Sequence, residues 1–157
     1  MQATPDAAAP QSSAFIGRRM LALVYDSLPT LAMWLFVAVP FVVGHSVITG
    51  DVRKNIEPFS ALHWLLILTC WAATGLYATA SWRRGGQTLG MRPWRLRVVP
   101  VDGATPTRAA LWRRYAVATL SLLAGGLGFW WAWIDRDRLT WHDRAAGTRM
   151  VRVPKGG

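Results

Sequence analysis

Residues 20–43 read MLALVYDSLPTLAMWLFVAVPFVV, a 24-residue run that is apolar almost throughout. A helix needs about 20 such residues to cross the hydrocarbon of a bilayer, so the run predicts a membrane span. Asp26 stands inside it. An ionised side chain at membrane depth costs at least about 2.5–3.5 kcal/mol on insertion scales, which places Asp26 against protein or a wet cavity rather than lipid. Arg18 and Arg19 directly precede the run, and Arg19 lies seven positions before Asp26. Seven residues are close to two helical turns, so Arg19 and Asp26 share one stripe of the helix.

Working outward, the composition agrees. Apolar residues make up 52% of the 157-residue chain and Trp occurs 10 times, a content that suits the two interfaces of a bilayer. The formal charge is +10. The arginines cluster beside the apolar runs, where cations orient a membrane protein, and no known binding motif accompanies them. Nucleic acid is therefore not an expected partner. The single Cys70 cannot form an intramolecular disulfide and reads as a small core residue.

The segment 1–14 is small, polar and proline-containing, and reads as a disordered cytoplasmic tail rather than a signal peptide. A membrane domain follows over 15–154. Within its first helix Pro29 frees the carbonyl of Tyr25, and Pro40 is expected to fray the end. Residues 44–60 read as a polar connection, after which Ser60 is placed to cap a second span at 61–80. The stretch Ser81 to Gly90 resembles a phosphate loop only superficially, lacking its Lys-Ser/Thr ending, and reads as a turn leaving the membrane. Trp94-Arg95-Leu96-Arg97-Val98 alternates like a strand, Asp102-Gly103 supplies a turn, and Thr105-Pro106 is placed to open a further helix. Thr148 to Val153 alternates again and is expected to pair with the first strand as a small cytoplasmic ribbon.

The third apolar run, 115–134, is interrupted by Gly125, Gly126 and Gly128. Crossing straight would leave the arginine-rich tail outside, against the bias of cations toward cytoplasmic flanks. Turning back at the glycines keeps that tail inside and leaves only Arg53 and Lys54 on the far side. The returning arrangement is favoured; a straight span is the alternative. The expected fold is thus an all-α integral membrane protein with two clear transmembrane helices, a third, glycine-broken hydrophobic segment and a small cytoplasmic β-ribbon, both termini being cytoplasmic.

Three motifs, in order, resemble the RDD family of bacterial membrane proteins, named for one arginine and two aspartates. They are Gly17-Arg18-Arg19-Met20-Leu21-Ala22-Leu23-Val24-Tyr25-Asp26; Gly86-Gln87-Thr88-Leu89-Gly90 with Leu96-Arg97-Val98-Val99 and Asp102-Gly103; and Trp141-His142-Asp143-Arg144-Ala145-Ala146-Gly147-Thr148. Met91 departs from the cation often found there. The resemblance implies a location in the bacterial inner membrane and makes Arg19, Asp26 and Asp143 the named residues. It also brings in sodium/proton exchange, to which some members are linked.

Two readings of the charges stand side by side. In one, Asp26 and Asp143 are structural pairs, with Arg113, Arg114 or Arg144 as cations for Asp26, or Arg19 reached through water. In the other, Asp26 alternates between a proton and a cation, as the aspartate of a transporter subunit. A module binding lipid or a protein partner is the third class. Expected partners are the bilayer, anionic headgroups met by Arg83, Arg84, Arg92, Arg95 and Arg97, and a second copy or another membrane protein. No cofactor, resident metal or enzymatic chemistry is expected: Asp135, Asp137, His142 and Asp143 are interleaved with arginines, which favours an ion-pair network over a cation site.

Overall fold

The computed structural model describes residues 14–154. The expected tail 1–14 lies outside these, except for Ala14, which is buried with Ile16 and Ala132. The first run forms α1 (Ile16–Thr49) and the second α2 (Ala61–Gly85). By length and composition both can cross a membrane. At a rise of about 1.5 Å per residue, the 34 residues of α1 extend roughly 51 Å, well beyond the hydrocarbon thickness. Pro40 does not end α1: the helix passes through it and runs nine residues further, to Gly50 in the left-handed region at φ 68°. A proline removes one helical hydrogen bond, and an apolar helix with an uninterrupted pattern on both sides tolerates that loss. The connection is correspondingly short.

Ser60 caps α2 as its sequence position suggests, accepting from the His63 amide. α2 continues past residue 80 through Arg83 and Arg84, whose charges lie in its last turn, where cations complement the helix dipole. α3 (Arg108–Leu123) starts later than Thr105-Pro106 indicates, because Thr107 is the residue whose hydroxyl accepts from the Ala110 amide. The third apolar run is not one straight rod. α3 and the pieces Leu127–Trp130 (α4) and Trp131–Trp133, a 3-10 turn, are bent by 108° at the glycines. Gly125 and Gly126 both have positive φ, 68° and 80°, which L side chains rarely adopt and glycine does freely.

The chain closes with α5 (Trp141–Ala146) and a strand. β1 (Leu96–Pro100) pairs antiparallel with β2 (Thr148–Arg152), Val98 opposite Met150. This is the ribbon expected from the alternating pattern. Its inner face, Leu96, Val98 and Met150, packs on Met91 and on Ala22 of α1. By contrast, Leu35, Phe36, Val47 and Ile48 of α1 are largely exposed, an outer surface suited to lipid. Further along the helices, the Trp34 indole donates to Thr74 at 2.8 Å and the Tyr115 hydroxyl to the Trp71 carbonyl at 2.9 Å. Such bonds hold membrane helices together where water offers no competing partner.

Candidate functional site

Three elements converge on Asp143. Thr140 caps α5, its hydroxyl accepting from the Asp143 amide while the Asp143 carboxylate accepts from the Thr140 amide. This reciprocal box fixes the carboxylate at the start of the helix. Both of its oxygens are then taken by guanidiniums: Arg19 Nη1 of α1 lies 2.7 Å from Oδ2, and Arg114 Nη1 of α3 lies 2.5 Å from Oδ1. Asp143 is 0% exposed, Arg114 1% and Arg19 3%. Arg114 also donates to Thr148 at 2.7 Å and lies over the Trp82 ring at 5.2 Å. Arg19 donates to Thr140 at 3.2 Å. One anion between two cations thus fastens α1, α3 and α5 together, leaving a net charge of +1.

Electrostatics explain why this is stable as ions. Burial alone would raise the Asp143 carboxyl, but Arg114 and Arg19 outweigh it and hold the group far below the usual carboxylate range. His142, beside it and tilted against the Phe129 ring with centroids 4.7 Å apart, is affected the other way. Burial, reinforced by Arg114, keeps its imidazole well below the usual histidine value and therefore neutral, against the pull of Asp143.

Asp26 does not belong to this clasp. It lies on the same stripe of α1 as Arg19, as the spacing requires, yet no guanidinium pairs with it among the described residues. Its Oδ1 accepts from the Tyr77 hydroxyl at 2.9 Å and the Gly90 amide at 2.8 Å, and Oδ2 from the Thr88 hydroxyl at 2.5 Å. The loop after α2 wraps directly onto α1 here. A Cβ at Gly90 would collide with the Ala22 carbonyl and with Asp26, so glycine permits the approach. The cations proposed for Asp26 are placed elsewhere. Arg114 is on Asp143, Arg144 bridges Asp135 at 2.5 Å and Asp137 at 3.1 Å, and Arg113 is exposed on α3. Arg19 cannot reach Asp26 because about 10.5 Å of helix rise separates them.

Tyr77, Thr88, Gly90, Thr140 and Thr148 escape a sequence reading keyed to charges, because neutral hydroxyls and amides carry no such flag. Only Thr140, three residues before Asp143, has a recognisable capping spacing. A cleft of about 510 Å3 opens between α1, α2 and α3 and is lined by Asp26 with Ser27, Thr30 and Thr74, and at its other end by Arg19 and Arg114. Among the described residues no group of three or more His, Cys, Asp or Glu side chains is arranged to hold a metal ion.

The family model described as RDD family matches residues 13–147. No curated protein matches the chain, and no solved structure does.

Proposed function

This chain belongs to the RDD family, and we propose that it is a non-enzymatic, multipass protein of the bacterial inner membrane whose buried charges are chiefly structural. α1 and α2 cross the bilayer, the glycine-broken third segment enters and returns, and the ribbon, α5 and both termini face the cytoplasm. The observation that carries this reading is Asp143, wholly buried between guanidiniums from two separate helices. Buried ions of this kind are retained where each satisfies the other, and removing one strands the rest. The 108° bend at Gly125-Gly126 supports the return, as does the placing of nearly all cations outside residues 50–60. Reporter fusions after residue 157 and within 50–60 test it: the tail is expected in the cytoplasm and the loop outside. A tail on the outer side would overturn the returning segment.

A second reading has one specific observation in its favour. Among the described residues, Asp26 is held by three neutral donors and no cation, and it lines an open cleft with several hydroxyls. That arrangement suits a carboxylate exchanging a proton for a small cation, with Thr88 and Tyr77 oxygens as further ligands.

A further inference from the structure

A second cavity, distinct from the cleft at Asp26, lies where α2 ends. It measures about 550 Å3, and its polar lining is Tyr77, Ser81, Arg84, Gln87, Arg92 and Arg97. Three of those six residues are arginine and none is acidic. The Tyr77 hydroxyl in its wall donates to Asp26, a carboxylate that lines the other cleft and accepts from two further donors there. Two of the walls are fixed: Arg97 Nε donates to the Gly85 carbonyl at 3.1 Å, and Gln87 Nε2 to the Leu96 carbonyl at 2.6 Å. Arg84 and Arg92 are exposed, and among the described residues neither side chain has a hydrogen bond or ion pair. Cationic groups left without an anion around a concave site are poised for one.

Position selects the anion. The apolar part of α2 ends at about residue 80, so the cavity sits at the level of the lipid phosphates. Along the same face of α2, at helical spacing from Arg84, Ala73, Leu66 and Leu62 are partly exposed and offer an apolar track for acyl chains. We infer that this cavity is a headgroup site for one anionic glycerophospholipid, its phosphate held by Arg84, Arg92 and Arg97. Guanidinium forks match phosphate oxygens in pairs. Basic pockets at the ends of membrane helices bind acidic headgroups in this way. This goes further than general attraction of a basic loop to a charged leaflet, because the three arginines enclose a defined volume. The inference rests on the membrane reading of α2 but not on which leaflet it meets.

The test uses the full chain in mild detergent, titrated with phosphatidylglycerol or phosphatidylcholine and read by native mass spectrometry. Phosphatidylglycerol is expected to bind preferentially, and added salt to weaken it. Arg84→Gln with Arg92→Gln removes two exposed cations that make no hydrogen bond or ion pair among the described residues, so the fold is expected to be preserved. Roughly fivefold per arginine gives about 25-fold weaker binding. Arg108→Gln with Arg113→Gln removes the same charge from exposed positions on α3 and is expected to leave binding within about twofold. Equal losses from the two pairs would show general charge attraction and overturn the site. So would equal affinity for both lipids, or glycerol phosphate competing as well as the lipid. Recovery of each variant in the membrane fraction is measured in parallel. A protein that inserts yet shows no preference refutes the site alone, whereas failure of wild type to insert refutes the membrane reading with it.

Discussion

Asp143→Asn isolates the buried clasp, because it removes one charge with almost no change in shape. With Asp143 ionised, Arg19 and Arg114 are each within 2.7 Å of a carboxylate oxygen, and the three side chains are at most 3% exposed. Asn keeps one acceptor but presents an amide to a guanidinium, and two positive charges are left facing each other without an anion. Breaking a buried pair by removing one member costs about 3–5 kcal/mol, against a typical domain stability of about 5–15 kcal/mol. The arithmetic of charge also ranks the variants. Arg19→Met leaves a neutral Arg114–Asp143 pair and is expected to cost less. Arg114→Met falls between, since it also loses the Thr148 bond and the Trp82 ring contact. Arg19→Met combined with Asp143→Asn leaves one unpaired cation instead of two and should recover part of the loss. Reversible unfolding followed by tryptophan fluorescence in detergent, with abundance in the membrane, measures all four. A cost below about 1 kcal/mol for Asp143→Asn, or an equal cost for Arg19→Met, would refute the clasp.

His142 gives a pH dependence. Its folded value lies below the unfolded value of about 6.5, so as pH falls through that value the unfolded chain takes up a proton that the fold refuses. Stability from this group is full above about pH 7 and falls below 6.5 by up to about 1.4 kcal/mol per pH unit. Denaturation between pH 7.5 and 5 should show that slope, and His142→Gln should flatten it; an unchanged slope removes His142 as its source. Asp143, lowered for the opposite reason, adds no slope in this window, because its contribution declines only below about pH 4. The exchange reading is checked at Asp26 in proteoliposomes carrying a pH-sensitive dye and challenged with Na+, K+ and Li+. There, Asp26→Asn is expected to accumulate normally and abolish cation-driven proton movement, and an absence of flux in wild type would exclude exchange.

The sequence by itself determined the membrane class, the two long helices, the break in the third run and the pairing of the strands. Each of those follows from local information: apolar length, the glycines at 125 and 126, and alternation at 96–100 and 148–152. Ser60 as a cap belongs with them, whereas Pro40 and Thr105-Pro106 show how loosely local signals set helix ends. What only the tertiary structure decided is which charge meets which. Arg19 and Asp26 share a stripe seven residues apart, and that closeness in sequence draws attention to a pairing the helix cannot make. The partner of Arg19 lies 124 positions away and that of Arg114 lies 29 away, while Asp26 is satisfied by Tyr77, Thr88 and Gly90. Helical periodicity says which way a side chain points and nothing about what arrives there. The arrival depends on how the loop after α2 and the short helix after the glycine break fold back onto α1, and on the close approach that Gly90 permits.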